Sequence, residues 1–297
     1  MRWLPVSFPI STIIARGHIH SDMKHRHFLS LLSAFVLLPG SGNADEPTPA
    51  FSDAIPPSPS TRVPDEIQDD YWYGEFQRVN KAVAKAKDAQ VVFFGDSITL
   101  MWSRLGAQGK EAWEKHFAKY HPINMGNSGD ITPVMLYRTQ NGNLDFPEGE
   151  DPRVAVLLCG TNNYVVTQSD GGKVKWELGM ETPPREVADG IRAVAQSFRK
   201  KLPQTRLILL GILPVKNEKK WAKCLETNRI LSAYHYPDGE VVFLDLKDHF
   251  LDGEGTLKAG LFTDGTHLTP AGYQVMARAL APRVEHLVKL GPLKLAK

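Results

Sequence analysis

The sequence predicts an α/β fold in which three layers are built around a parallel sheet of about five strands. Short apolar runs alternate with longer segments in which apolar residues recur at helical spacing. Continuous apolar strands separated by helices are typical of a parallel sheet covered on both faces. The predicted strands are Gln90 to Phe94, Ile123 to Met125, Val154 to Cys159, Leu207 to Gly211 and Val241 to Leu244.

The segments between these runs predict amphipathic helices and a single domain. The last helix has clear start signals, with Thr269 as N-cap and Pro270 at the first helical position. Residues 45–65 are rich in Pro and Ser and predict a linker, whereas residues 66–297 keep a globular pattern without an internal repeat. The predicted helices lie near 67–88, 98–119, 185–202, 220–234 and 270–289.

Residues 1–44 are typical of an N-terminal extension with an export signal. Met23 opens a basic stretch, and residues 28–38 form an apolar run of 11 residues, which is too short to span a bilayer. Gly42 and Ala44 provide the small residues that a signal peptidase requires. Because the residues before Met23 fit no such pattern, Met23 is the predicted start. We expect a secreted or periplasmic protein, without stable membrane insertion after signal cleavage.

Charge and cysteine content argue against several classes of partner. The 297 residues carry a formal net charge of +2, and the chain beyond residue 44 carries −1. With no dense Lys/Arg stripe, we expect no nucleic acid partner. Cys159 and Cys224 lack metal-ligand spacing, so we expect no metal. Export would permit one disulfide, but Cys159 ends an apolar run and is expected to be a buried small hydrophobe.

Polar clusters follow the predicted strands at the points where the strands end. In an open parallel sheet the carboxyl ends of the strands lie at one edge, where ligands bind. We therefore expect these clusters to lie close together. They are Gly95-Asp96-Ser97 after the first strand, Gly126 to Asp130 after the second, Gly160 to Asn163 after the third, and Asp264 to His267 before the last helix.

The residues in these clusters are of the kinds that acyl transfer requires. A serine hydroxyl is a weak nucleophile until a base takes its proton, which makes Ser97 the candidate nucleophile and His267 its candidate base. Asp264 lies three residues before His267 and is expected to orient the imidazole. The N–H groups of Ser97 and Gly129 and the side-chain amide of Asn162 are the candidate donors to an oxyanion.

Several of these positions have alternative interpretations. Taken alone, Ser97 is more typical of a helix N-cap than of a nucleophile, and the case for a nucleophile depends on the other clusters. Ser128 is a rival nucleophile, but its glycine neighbours are more typical of a loop that presents backbone donors. Asp96 is expected to fix the turn by bonding local backbone. The order Ser, Asp, His also occurs in α/β-hydrolases, but the Gly-x-Ser-x-Gly elbow of that class is missing.

Four sequence blocks resemble those of the SGNH (GDSL-type) hydrolase superfamily, in the same order and over roughly residues 88–285. They are GDSIT, GNSGD, GTNN and DGTHLTPAGY. Within the superfamily, MGNSGDIT, LLCGTNN, LLGILP and DGTHLT are similar to the catalytic subunits of acetylhydrolases that act on platelet-activating factor.

The resemblance implies a flavodoxin-like sheet, hydrolysis of carboxylic esters and no metal or organic cofactor. Carried over by position, it implies Ser97, Asp264 and His267 as catalytic residues, with Ser97, Gly129 and Asn162 forming the oxyanion hole. Residues 164–184 make a longer excursion after GTNN than the acetylhydrolase pattern has.

The sequence thus predicts a serine esterase that acts on a small-molecule or glycan ester, with short acetyl groups as the expected acyl part. An O-acetyltransferase or a carbohydrate O-acetylesterase acting on exported glycans is the alternative, because the same residues serve both reactions. A glycan-binding module without catalysis is a third hypothesis, which the complete Ser, Asp and His set disfavours.

Overall fold

Five parallel strands form the centre of the computed structural model, in the order β2-β1-β3-β4-β5. The structure describes residues 49–64, 67, 69–165, 179–237 and 239–294. The strand order is that of flavodoxin-like sheets, so the predicted fold class is confirmed. The strands are β1 (Val91–Gly95), β2 (Ile123–Gly126), β3 (Val154–Leu158), β4 (Arg206–Leu210) and β5 (Val241–Leu244).

Helices cover both faces of the sheet, which explains the continuous apolar runs. In β1, Val92 and Phe94 belong to the core shared with α1, α4, α5 and α6. Their neighbours Val91 and Phe93 belong to the core on the other face, with α3, α7 and α8. The helices are α1 (Asp70–Ala84), α2 (Ser97–Leu100), α3 (Lys110–His116), α4 (Thr132–Gln140), α5 (Pro184–Lys201), α6 (Glu218–Ser232), α7 (Lys247–Phe250) and α8 (Pro270–Lys289).

The prediction of one continuous helix near 98–119 is wrong, because the helix is interrupted between α2 and α3. Leu105, Gly106 and Ala107 all have positive φ, a backbone conformation that an α-helix does not contain. The predicted helices also omit α4 and α7. The start of α8 is as expected, since the hydroxyl of Thr269 accepts a hydrogen bond from the N–H of Gly272.

Residues 49–64, which lie within the predicted linker, pack along α4 and α5. Phe51 is buried in the core on the α5 face. The carbonyl of Ser60 accepts a hydrogen bond from Thr132, and its own N–H and hydroxyl donate to Glu186. The Pro and Ser composition conceals this packing, because one aromatic side chain and a few polar contacts produce no periodic pattern.

The described residues include both cysteines, and they allow the helices to be checked for a membrane-spanning segment. Cys159 and Cys224 are both buried as free thiols, so the expectation for Cys159 holds and no disulfide joins the pair. None of the described helices has the length and apolarity needed to cross a bilayer. The predicted export signal within residues 1–44 and most of the excursion at 164–184 lie outside the described residues.

Asp96 fixes the turn between β1 and α2, as expected. Its Oδ1 accepts a hydrogen bond from the N–H of Ile98 at 2.9 Å, while the side chain is fully buried. Desolvation raises the pKa of this carboxyl from 3.8 to about 7, and the nearby carboxylate of Asp130 adds to the rise. The bond from Ile98 opposes the rise, and so do the electrostatic effects of His267 and Lys220.

We expect the free energy of unfolding to depend on pH, because the folded protein and the unfolded chain protonate Asp96 at different pH. Between about pH 4 and pH 7 the folded protein holds a proton that the unfolded chain has released, so stability falls as pH rises and levels off above pH 7. Asp96→Asn keeps the acceptor for Ile98 but cannot ionise. From pH 4 to pH 8 it should gain on the order of 2–4 kcal/mol relative to the parent protein in urea unfolding. Parallel pH curves for the two proteins would contradict this assignment.

Candidate active site

The predicted polar clusters meet at the carboxyl edge of the sheet, where β1, β2 and β3 end. Ser97 is the first residue of α2 and follows β1 directly. The helix passes so close to the strands that a Cβ on Gly126 would lie 2.1 Å from the N of Leu100. A Cβ on Gly95 would lie 2.6 Å from the carbonyl oxygen of Leu158. Neither glycine has positive φ, so space rather than backbone freedom requires them.

Ser97, His267 and Asp264 form one chain of hydrogen bonds. The Oγ of Ser97 lies 2.9 Å from Nε2 of His267, and Nδ1 of His267 lies 2.7 Å from Oδ2 of Asp264. A carboxylate only accepts, so the contact with Asp264 assigns the proton of the neutral ring to Nδ1. The free lone pair of Nε2 is then directed at the hydroxyl of Ser97.

Asp264 is held as a carboxylate by the turn that it forms with His267. Its Oδ1 accepts hydrogen bonds from the N–H groups of Thr266 and His267, while Oδ2 accepts from the imidazole. Desolvation alone would raise the pKa of this carboxyl, but these bonds outweigh it and lower the pKa to about 2. The side chain of Asp264 is 56% exposed and that of His267 26%, whereas Ser97 is buried.

The loop that carries His267 is closed by two contacts within the loop and is tied to the rest of the domain by a third. Phe262 and Leu268 form an antiparallel bridge, and the carbonyl of His267 accepts from the N–H of Thr263 at 2.8 Å. The N–H of Lys216, after β4, donates to the carbonyl of Gly265 at 2.7 Å. These contacts fix the imidazole beside a serine that lies 170 residues earlier in the chain.

The candidate donors Gly129 and Asn162 follow β2 and β3, the two strands that flank the strand before Ser97. Gly129 has φ of +78° in the loop after β2, a conformation that favours glycine. Asn162 lies in a 3-10 turn after β3, and its Nδ2 donates one hydrogen bond to the carbonyl of Asp130 at 3.1 Å. Since an amide nitrogen carries two N–H groups, Asn162 keeps a second donor. Within the described residues, the N–H groups of Ser97 and Gly129 have no acceptor.

The contacts of Ser97 and Asn162 differ from those of the neighbouring residues Ser128 and Asn163. The hydroxyl of Ser97 contacts His267, and that of Ser128 makes no such contact. Asn163 is structural, because its side chain bonds both the N–H and the hydroxyl of Thr132. In the part of the chain that the structure describes, no three His, Cys, Asp or Glu side chains lie together as metal ligands would.

Sequence analysis missed a buried ion pair beneath the site. Asp130 and Arg138 contact each other through Oδ2 and Nη1, and both side chains are fully buried. The indole of Trp72 donates to Oδ1 of Asp130 at 2.7 Å. Asp130 directly follows the GNSG sequence, and this position was a signal by which the sequence could have revealed it. No such signal marked its partner eight residues later, because α4 was not predicted.

Comparison with known proteins identifies the family. The model of the GDSL-like lipase/acylhydrolase family matches residues 93–275, which is more than half of the chain. The chain is 30% identical over 240 residues to platelet-activating factor acetylhydrolase IB subunit alpha2 of Rattus norvegicus, and the match covers 80% of this chain and 93% of the relative.

Solved structures share the fold at lower identity. A GDSL-like lipase from Bacteroides thetaiotaomicron has a TM-score of 0.56 and 20% identity, covering 72% of this chain and 97% of the other. An acetyl xylan esterase has a TM-score of 0.50 and 22% identity, covering 65% of this chain and 98% of the other. The predicted superfamily is therefore confirmed, and the chain belongs to the GDSL-like lipase/acylhydrolase family as a carboxylic-ester hydrolase.

Proposed function

We propose that this protein is an exported serine esterase that removes short acyl groups, acetyl above all, through an acyl-enzyme formed on Ser97. His267 acts as general base and general acid, and Asp264 holds its ring. The observation that carries the proposal is the chain of hydrogen bonds from Ser97 Oγ through the imidazole to the Asp264 carboxylate, with steps of 2.9 and 2.7 Å.

Acylation follows from this geometry. As Ser97 Oγ attacks the ester carbonyl, its proton moves to Nε2 of His267, and Asp264 stabilises the imidazolium that results. The imidazolium then gives that proton to the leaving alkoxide, and the alcohol departs. In the second half, water gives a proton to Nε2 and attacks the acyl carbon, and Ser97 recovers its hydrogen as the acid leaves.

The negative oxygen of each tetrahedral intermediate needs donors that are already in place. The N–H groups of Ser97 and Gly129 and the second N–H of Asn162 are the proposed donors. Ser97 N–H also lies at the start of a helix, where backbone donors point outward. One such donor is typically worth about 3 kcal/mol of transition-state stabilisation.

Support for a short acyl group comes from the names of similar proteins. Acetyl groups are the acyl part named both for the platelet-activating factor acetylhydrolase relatives and for the acetyl xylan esterase of similar fold. The predicted export adds a reason to expect esters outside the cytoplasm, such as O-acetylated glycans.

A cavity beside Asp264 favours an extended alcohol part, and with it the carbohydrate O-acetylesterase alternative. The cavity has a volume of about 500 Å³ and lies between the loops after β4 and α7. Its wall includes the half-buried rings of Trp221 and Phe262 and the charged side chains of Lys216 and Glu218. Aromatic walls with a few polar groups are typical of sites for organic ligands.

Ser97→Ala tests the nucleophile. We expect kcat for p-nitrophenyl acetate to fall by about 10⁶-fold, because the serine and its base act as a unit. Ser128→Ala is the matched control and should keep the activity of the parent protein. A fluorophosphonate probe should label the parent and the control but not Ser97→Ala. Turnover that survives in a folded Ser97→Ala protein would exclude the proposed mechanism.

Asp264→Asn tests the orienting role. The asparagine Oδ1 still accepts from Thr266 and from the His267 main chain, so the turn should persist. Its amide N–H groups, however, face Nδ1 and favour the tautomer whose Nε2 carries the proton. We expect kcat to fall roughly 10²–10⁴-fold with little change in KM. A kcat near that of the parent, in steady-state assays at pH 7, would remove Asp264 from the mechanism.

A panel of p-nitrophenyl esters from acetyl to octanoyl, together with acetylated xylan, tests the acyl and alcohol parts. We expect kcat/KM to be highest for acetyl and to fall with chain length, and acetate to be released from the polymer. A maximum at octanoyl would contradict the short-chain assignment. Acyl products that depend on an added sugar acceptor, with suppressed acetate release, would favour the O-acetyltransferase alternative.

A further inference from the structure

We propose that the buried ion pair of Asp130 and Arg138 is a positioning element that aligns the oxyanion donors of Ser97, Gly129 and Asn162. The inference rests on the proposed function, because it concerns how the donors of that site are held. Neither side chain of the pair touches the reacting atoms, so both are positioning residues.

Arg138 holds the ends of the two strands that lead into the site. Its Nη1 donates to the carbonyl of Gly95 at 3.3 Å and to Asp130, and its Nη2 donates to the carbonyl of Met125. Its Nε donates to Oδ1 of Asn143 at 2.8 Å. Gly95 lies two residues before Ser97, and Met125 lies four residues before Gly129. One rigid guanidinium therefore sets the relative position of both loops.

Asp130 extends the same arrangement to the third donor. Its two carboxylate oxygens accept from Arg138 and from the indole of Trp72, and its main-chain carbonyl accepts from Nδ2 of Asn162. The bond from Asn162 directs one amide N–H towards Asp130 and leaves the other for the site. Because Gly129 precedes Asp130 directly, fixing Asp130 also limits the orientation of the Gly129 peptide.

Stability alone does not account for this pair. Removing two charges from water costs several kcal/mol per ion, and apolar replacements of similar volume often match or exceed a buried ion pair in stability. An apolar pair, however, would leave the carbonyls of Gly95 and Met125 without these donors. Here only the forked guanidinium of an arginine can donate to both of these carbonyls and so join the ends of β1 and β2.

The chain contains a second buried ion pair that serves as a matched control. In α5, Nη2 of Arg192 lies 3.3 Å from Oδ1 of Asp189, and Nη1 of Arg192 donates to the carbonyls of Ala50 and Asp53. This pair holds the N-terminal segment and makes no contact with the strand ends before Ser97 or Gly129. Its loss should therefore affect stability alone.

The test compares Asp130→Asn, Arg138→Lys and the double variant with Asp189→Asn and Arg192→Lys. Arg138→Lys keeps the charge but not the fork, which separates geometry from charge. We expect each variant of the proposed pair to lower kcat by roughly 10–100-fold with KM nearly unchanged, because the donors act mainly in the transition state. The rate of fluorophosphonate labelling of Ser97 should fall in parallel, and the double variant should resemble the single ones.

Thermal unfolding of every variant shows which of them are folded. Trp72→Phe is the milder variant should the others fail to fold: it removes only the indole N–H to Asp130, and we expect a roughly 3–10-fold lower kcat. The controls should lose thermal stability and keep the kcat of the parent.

Two results would overturn the proposal. One is an unchanged kcat in folded Asp130→Asn, Arg138→Lys or Trp72→Phe, and the other is an equal loss of kcat in the Asp189→Asn control. Failure of the proposed function is distinguishable, because it would appear as turnover in Ser97→Ala.

Discussion

The parallel pairing of β1 between β2 and β3 is the constraint on which the site depends. In this register Gly95 lies opposite Gly126 on one side and Leu158 on the other, so three strands end at the same level. Because parallel strands end at a common edge, the sheet topology alone brings together the residues that follow them. Ser97, the loop that contains Gly129 and the Asn162 turn are therefore neighbours by topology, although they come from separate parts of the chain.

The close approach of α2 to the strand ends adds a second constraint. The backbone of Leu100 occupies the space that a side chain at residue 126 would need. Tyr273, buried in α8, donates from its hydroxyl to the carbonyl of Ile98 at 2.6 Å. The short helix of Ser97 is thus held from the strands below and from α8, the helix that follows His267. Serine and histidine are fixed to the same frame, so their 2.9 Å contact does not depend on a flexible loop alone.

Much of the fold and part of the site could be predicted from the sequence. The strands are apolar runs with clear ends, and Ser97, Asp264 and His267 lie in motifs whose residue types suit one reaction. Arg138 could not be found in the same way. It lies in a helix with no clear periodic signal, and two of its four hydrogen-bond partners are main-chain carbonyls, which leave no trace in the choice of residues. Phe51 was missed for a similar reason, since a single buried ring within a Pro-rich segment makes no pattern.

The break between α2 and α3 illustrates the remaining kind of failure. Gly106 is a weak signal by itself, and Leu105 and Ala107 are residues that favour helices. All three residues nevertheless have positive φ, and Arg104 before them contacts Glu75 of α1 at 3.4 Å. The local preference of Leu105 and Ala107 for helix therefore did not decide the conformation of this segment.

The carboxyl groups of Asp264 and Asp96 have opposite environments, and the difference suits the proposed chemistry. Asp264 is half exposed and accepts three hydrogen bonds, so it remains charged beside a ring that must become positive. Asp96 adjoins Ser97 and is fully buried, and desolvation raises its pKa to about 7. A fixed negative charge there would oppose the oxyanion that forms on attack. Below about pH 7 burial keeps this carboxyl neutral while its Oδ1 still caps α2, so one residue shapes the turn without repelling the intermediate.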